Sequence, residues 1–509
     1  MLDVVIAGAG PNGLLLAAEL RLAGVQPIVL EKLAEPDGAH RANGLVGQVV
    51  PFLHRRGLFE RLTGNPEPVP APRHVFGAFP VNFTDLDHNP MYLLPKPQRE
   101  IEQTLAAHAL SLGAEIRRGH EITGFTQDDG SITIDVAGPD GPYQLTAGYL
   151  VGADGGHSTV RKLAGIGFPG VTRDNSVSRS ANVRLPAELF DPATGGLALE
   201  TGVLPPFQHH RTETGVFVFA PFDPANPALS TTEFRPADVP DDAPLTMSEL
   251  RASVQRVLGV GLPIEPPSGP GPFLARRLSG GNTRIAESYR AGRVLLLGDA
   301  AHVHSAIGGP GLNLGLQDAA NLAWKLAAEV RGWAPPGLLD SYESERRPVS
   351  ERVVMHTQAQ SALISPGPEI TALRELFGEL LVYPEIRQHV ADLMSGADLR
   401  YGTDPATGRW APELPLADPA PLAAAFRAAR PVLVDLTREA ALADVAAPWQ
   451  DRVTTVSSTA TGEAPTALLI RPDGYVAWAS SAEQPDTEEL RAALAQWFGA
   501  PIAAAVSSR

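Results

Sequence analysis

The chain has 509 residues, too many for one ordinary core and enough for roughly two to four domains; 44% are hydrophobic and 19% charged, the balance of a folded globular protein. A formal net charge of −16 gains no counterion-release energy from a phosphate backbone, which argues against nucleic acid, and the absence of cysteine excludes disulfides, thiolate metal sites and dithiol redox chemistry. No apolar run approaches the roughly 20 residues that span a bilayer and the N-terminus carries no basic leader, so a cytoplasmic location without a membrane partner is expected.

The first element is an apolar strand, Asp3-Val4-Val5-Ile6-Ala7, that enters Gly8-Ala9-Gly10-Pro11-Asn12-Gly13. Leu14, Leu15, Ala17, Ala18, Leu20 and Leu22 follow at helical spacing, and a second strand, Pro27-Ile28-Val29-Leu30, ends at Glu31. Strand, glycine turn, helix and terminal acid are the context in which GxGxxG binds a dinucleotide. Gly8 permits the tight turn, Gly10 lets the backbone approach a pyrophosphate, and Gly13 allows close helix–strand packing. Glu31 is placed to accept hydrogen bonds from the adenosine ribose. This unit alone does not separate FAD from NAD.

Val75, Phe76, Phe79, Val81 and Phe83 outline a further strand-like stretch. Tyr149-Leu150-Val151-Gly152-Ala153 then ends in Asp154-Gly155, placing a carboxylate at the carboxyl edge of a sheet, where ligands of α/β folds collect. Texture changes over residues 170–285, where runs at 180–185, 215–221 and 230–235 suggest an antiparallel sheet. Phe217 and Phe219 alternate along one face, as candidates for a flat aromatic substrate pocket or for the core. His209 and His210 beside Arg211 invite a metal reading, but adjacent strand residues point to opposite faces, so they are expected on a loop or pocket wall and no metal site is expected.

Arg293-Val294-Leu295-Leu296-Leu297 repeats the strand pattern and ends in Gly298-Asp299, where an unpaired carboxylate at a buried strand end would be costly. Ser305-Ala306-Ile307-Gly308-Gly309-Pro310-Gly311 opens a long helix at Leu312 and Asn313, with Leu316, Ala319, Ala320, Leu322, Ala323, Leu326 and Ala327 at helical spacing. Residues 312–395 read mostly as helices. After a turn-rich stretch over 402–416, strand-like runs at 431–435, 466–470 and 475–478 precede a helix over 487–497. Arg471-Pro472-Asp473-Gly474 reads as a hairpin turn.

These three constellations together resemble the class A flavoprotein monooxygenases of the para-hydroxybenzoate hydroxylase fold, and within them the aromatic polyketide hydroxylases and antibiotic-modifying monooxygenases. The resemblance implies an α/β protein. Its FAD-binding Rossmann-like domain takes residues 1–170 and 280–395, with 75–100 partly in the substrate region. An antiparallel-sheet substrate domain is inserted over 171–279. A thioredoxin-like C-terminal domain follows over 396–509; without cysteine it cannot exchange thiols and is read as a buttress, with a docking or dimer role as the alternative.

By the same resemblance, Asp299 binds the ribityl chain of FAD, and Asp154 and Gly155 sit near the pyrophosphate and serve transient NAD(P)H. Arg161 supports the Asp-Gly turn, and Arg41 lies near the FAD phosphates. Gln98 stands beside the flavin, with Glu102 and Leu105 on the helix that follows. Arg41 equally suits a solvated loop, and Gln98 a helix start. The chain departs from the family at Ala306, where Pro is usual, at Pro310, where Gln is frequent, and at Gln48, where many relatives have Arg. Ala306, Pro310 and Gly311 are therefore the flavin-loop candidates for reaction outcome, and no catalytic base is assigned.

In such enzymes reduced flavin reacts with O2 to give a C4a-hydroperoxide. The amides near Gly311, Leu312 and Asn313, at the positive end of their helix, suit the negative charge that forms at the flavin N1–C2=O locus. No second GxGxxG unit exists for a nicotinamide, so NADPH, or NADH, is expected to dock transiently. The expected function is hydroxylation of a polycyclic aromatic or polyketide-type compound with NAD(P)H and O2, by a monomer or homodimer. The alternatives are Baeyer–Villiger or antibiotic-inactivating oxygenation by the same intermediate, or a non-oxygenating flavin reductase of the same fold.

Overall fold

The computed structural model describes residues 1–36, 42–235, 243–438 and 440–501. The strands Val294–Leu296, Gly141–Gly152, Leu2–Ala7, Pro27–Glu31 and Glu115–Arg118 lie side by side in that order, all parallel, within an eight-stranded sheet. A parallel strand is buried on both faces, which explains its unbroken apolar run: Val4, Val5, Ile6, Leu150, Val151 and Leu295 are all fully buried. The helices Pro11–Leu22 and Pro310–Val330 pack against each other and share this core. Strands Glu121–Gln127 and Ile132–Gly138 form an antiparallel meander with the first half of Gly141–Gly152.

A second sheet has six strands, in the order His209–Arg211, Gly215–Ala220, Ala228–Glu233, Gly170–Asn182, Ala275–Ile285 and His302–Val303. Its last strand comes directly after the Gly298-Asp299 turn, so the two sheets are stitched together beside the glycine-rich loop. One face is covered by the helix Met247–Leu258, which the sequence analysis did not anticipate. The signal was present: Thr246 accepts a hydrogen bond from the Glu249 amide, the start of an S/T-x-x-E capping pattern. Leu250, Val254 and Val257 from this helix meet Ala181, Phe217, Phe219 and Leu229 from the sheet in one apolar cluster.

The hairpin Arg73–Phe76 with Phe79–Asn82 packs on the helices Ser341–Ile364, Pro368–Leu380 and Pro384–Ser395 through Phe76, Val81, Phe83, Leu363, Val390 and Met394. Beyond residue 404 a four-stranded sheet runs Thr454–Ser457, Val432–Asp435, Ala467–Ile470, Val476–Ser480, with the helix Thr487–Phe498 packed on it. Its first pair is parallel and the others antiparallel. Thr454–Ser457 escaped the sequence reading because its polar TTVS sequence lacks an apolar run.

Buried ions join this unit to the helices behind the glycine-rich loop. Arg471 makes two 2.7 Å bonds to Glu345, which also takes a 2.7 Å bond from Lys325, and Asn321 donates to Asp473 at 3.0 Å. Burial pushes the Lys325 ammonium down to about 8, against the opposing pull of Glu345. Among the described residues no helix is long and apolar enough to cross a membrane.

Candidate functional site

Three strand ends and one helix start converge. After Leu2–Ala7 the chain turns at Gly8 with φ +103°, and a Cβ there would stand 2.6 Å from the Ala153 carbonyl oxygen. A Cβ on Gly13 would stand 2.1 Å from the Gly8 carbonyl oxygen, so the helix can approach its strand only without a side chain. Gly10 faces open space, with no atom within 4 Å of the place a Cβ would take. The helix it caps begins with Pro11 and has no side-chain cap, which leaves first-turn N–H groups for an anion. Glu31 is half-buried at the next strand end; it accepts from the Ala9 amide at 2.8 Å and the Leu33 amide at 2.9 Å, so it braces the glycine turn.

The Asp154 carboxylate turns inward. It accepts from Ser158 Oγ at 2.5 Å and from the amides of Thr159 at 2.7 Å and Val160 at 3.1 Å, starting the helix Thr159–Leu163. What this turn offers outward is the backbone at Gly155, with φ +82° and no atom within 4 Å of a Cβ position. Arg161 holds the same turn, donating to the Gly156 carbonyl at 3.0 Å and the Ala300 carbonyl at 2.9 Å while stacked 3.8 Å from the Phe168 ring.

Asp299 departs from expectation in one respect. Its strand stops at Leu296, and on the single 3-10 turn Gly298–Ala300 the residue is exposed, not buried. The buried carboxylate nearby is Asp318, which the sequence reading missed. It takes bonds from the Gly298 amide at 3.2 Å, His302 Nε2 at 2.7 Å and Arg346 Nε at 2.7 Å. Burial alone would raise its pKa, but Arg346 and His302 outweigh burial and lower it. Asn12 was missed too: its amide is wedged between Gly298 and Gly315, whose Cβ atoms would stand 2.2 Å and 2.3 Å from Nδ2. It ties the first glycine turn to the Gly298 turn and to the helix after the last loop, and its Oδ1 is buried with no partner.

The loop before the long helix ends at Gly309, φ +73°, followed by Pro310 at the first helical position and no side-chain cap. Ala306 is exposed, Pro310 buried, and Gly311 and Leu312 half-buried. The Asn313 side chain is committed to the loop, accepting from the Val46 amide at 2.8 Å and donating to the Gly309 carbonyl at 2.6 Å. Gln98 starts the helix Gln98–Ser111 and clasps Ala42, its amide donating to the Ala42 carbonyl at 2.9 Å; its Nε2 donates to Glu102 at 2.7 Å. Arg41 lies outside the described residues. His304 lies beside the loop, 3.5 Å from the place a Cβ on Gly311 would take, and burial pushes it down to about 4.

Phe217 and Phe219 do not line an open pocket. Both are fully buried under the helix Met247–Leu258, because that helix covers the face they occupy. The opposite face carries Val218, Ser180, Ser230, Ser178, Thr232 and His209, as strand register dictates. His209 and His210 fall on opposite faces of their strand, and among the described residues no group of three or more metal-type ligands exists.

A glycine turn built for a pyrophosphate, an Asp-Gly backbone corner and an uncapped helix start on one parallel sheet, flanked by a second antiparallel sheet, define a flavin-dependent α/β enzyme class, and the residues present fit FAD. A family model for the FAD binding domain matches residues 1–357, and a model for the aromatic-ring hydroxylase C-terminal region matches 404–501. The chain is 42% identical to a 12-dehydrotetracycline 5-monooxygenase/anhydrotetracycline 6-monooxygenase of Streptomyces rimosus, over 98% of this chain and 99% of the relative. It is 38% identical to a rifampicin monooxygenase of Streptomyces venezuelae, over 99% of this chain and 100% of the relative. The solved structure of the anhydrotetracycline hydroxylase OxyS from Streptomyces rimosus superposes with a TM-score of 0.85 at 41% identity, covering 98% of this chain and 99% of that one. The chain belongs to this FAD-binding monooxygenase family. It is an FAD-dependent monooxygenase.

Proposed function

We propose that the protein hydroxylates a polycyclic aromatic or polyketide-type compound, consuming O2 and a transiently docked NADPH or NADH. The carrying observation is the half-buried face of the six-stranded sheet opposite the helix Met247–Leu258, which carries Val218, Ser180, Ser230 and His209 and is joined to the glycine-rich loop through His302–Val303. A flat surface with spaced hydroxyls suits a planar, oxygenated ring system.

When bound, FAD supplies the reductive activation of O2 that puts one oxygen atom into substrate and releases the other as water. Gly10 and the first-turn amides of Pro11–Leu22 would hold the pyrophosphate, Glu31 the adenosine ribose, and Asp299 the ribityl chain. Gly155 would offer its backbone to the cofactor and to NAD(P)H. The amides of Gly311 and Leu312 would stabilise negative charge on the ring, while Asn313 fixes the loop that presents them. The parallel-sheet unit (1–170 and 280–395) is the FAD domain and the inserted sheet (171–279) the substrate domain. The terminal unit (396–509) acts as a thioredoxin-like buttress.

The test is a screen of anthracycline- and tetracycline-like polyketides under labelled O2, with product mass and ring skeleton read out. A single labelled oxygen on an intact skeleton supports hydroxylation. An expanded ring identifies Baeyer–Villiger insertion, and substrate-stimulated NAD(P)H oxidation without label in any product overturns the proposal.

A further inference from the structure

Two imidazoles near the glycine-rich loop take no part in the cofactor site. His74 stands on the strand Arg73–Phe76, and His209 on the edge strand of the six-stranded sheet. They are close enough that charge on His209 is felt at His74, and His74 also touches the Gly308 backbone. Nε2 of His74 and Nδ1 of His209 are buried with no hydrogen-bond partner. The hydroxyls that share the sheet face with His209 do not serve them. Ser180 pairs with Ser230 at 2.7 Å and Ser178 with Thr232 at 2.9 Å, each row satisfying itself.

In folded proteins most buried polar groups are partnered, so two orphaned imidazole nitrogens brought together beside Gly308 suit a ligand's polar group. Burial, and next the His209 charge, push His74 down to about 4; burial also lowers His209. Both rings are therefore neutral near pH 7. A neutral imidazole offers one donor and one acceptor nitrogen. The partnerless nitrogen of His74 is Nε2, and with the ring proton on Nδ1 it is free to accept. A phenol, with a pKa of about 10, does not surrender its proton to so weak a base. It can donate a hydrogen bond.

We propose that His74 and His209 form a recognition pair for an un-ionised phenol or enol hydroxyl on the substrate's edge, with His74 Nε2 accepting its hydrogen bond. This rests on the proposed aromatic substrate class and adds the group by which the pocket recognises it. A methyl ether in the same place presents no donor and leaves the acceptor buried and unpaired, which is how a polar site rejects an analogue.

The experiment titrates FAD-loaded enzyme at about pH 6, where the quinone-acidified phenols of anthraflavic acid stay protonated, with that compound and with its dimethyl ether, following the flavin absorbance change. The hydroxylated compound is expected to bind wild type about tenfold or more tightly than the ether. His74→Phe should abolish that preference, His74→Gln should restore part of it, and His209→Phe should reduce it, all with the flavin content of wild type. If wild type binds both compounds equally, or both Phe variants keep the full preference, the inference is overturned. If the Phe variants lose flavin, the wild-type ratio decides. Binding of neither compound overturns the aromatic-pocket reading itself, and the inference with it.

Discussion

The side-chain amide of Asn12 lies against the bare Cα of Gly315, so close that a methyl group there would stand 2.3 Å from Nδ2. Asn12 belongs to the first glycine turn and Gly315 to the helix after the last, and the contact locks them together. Gly315→Ala sets two effects against each other. Alanine gains about 1 kcal/mol of helix propensity, whereas overpacking a buried site costs about 1–3 kcal/mol. Because the amide is held between Gly298 and Gly315, the clash should win. The variant is expected to melt lower and to purify with markedly less FAD, measured as the ratio of flavin to protein absorbance; unchanged flavin content would refute the locking role.

Asp299→Ala separates cofactor binding from folding. The side chain is exposed, where a hydrogen bond or ion pair contributes at most about 1 kcal/mol, so the apoprotein should lose no more stability than that. FAD affinity should fall tenfold or more, equivalent to about 1.4 kcal/mol. Equilibrium dialysis with added FAD, beside an apoprotein melt, checks both halves. A fully yellow variant contradicts the ribityl assignment.

Neighbouring residues on the strand Gly215–Ala220 should respond in opposite ways. Phe217→Ala empties space under the helix Met247–Leu258 and should cost about 3–5 kcal/mol. Val218→Phe adds bulk to the other, half-buried face, and should raise KM for an accepted substrate with little change in melting temperature. A KM effect confined to Phe217→Ala would reverse the assignment of faces.

That pair also marks what was legible in the sequence. Period-2 alternation at Phe217 and Phe219 reveals that the strand has two faces, but not which one a helix covers. Covering depends on Met247–Leu258, whose capping pair passed unread. The glycine turns at Gly8 and Gly13 were legible because backbone geometry and close approach restrict the residue type locally. His74, His209, Asn12 and Asp318 were not. Their meaning comes from partners brought together by topology across long stretches of chain, and no local spacing encodes that.

Acid should destabilise the protein in two stages. Burial holds His74, His304 and His356 down at about 4, against an ordinary value of 6.5. Between those values the unfolded chain binds protons that the folded chain does not, so stability falls as pH drops below about 6.5. A second loss follows below 4.5. Glu233, where burial opposes but Arg256 and Ser253 prevail, and Glu249, held by Arg277, are both lowered to about 2. Urea midpoints should fall from pH 7 to 5, and His356→Phe should flatten that slope. A pH-independent midpoint across this window would contradict the assignment of buried neutral imidazoles.

Arg471→Met leaves Asp473 buried without its guanidinium and Glu345 with Lys325 as its one remaining cation. Breaking a buried ionic cluster from one side costs about 3–5 kcal/mol. The variant should melt several degrees lower and lose flavin at a lower temperature than wild type. Coincident wild-type and variant melts would show that the cluster contributes nothing to stability.

The Arg471–Glu345 clasp has a consequence for the interchange of parts among such enzymes. The long helix Pro310–Val330 presents its first turn to the flavin loop, while further along Lys325 and Asn321 meet residues that the terminal unit helps to hold. A tail grafted from another relative must therefore bring its own matching guanidinium and carboxylate. Otherwise Glu345 loses two of its buried hydrogen bonds, and the loss falls against Lys325, on the same helix whose first turn meets the glycine-rich loop.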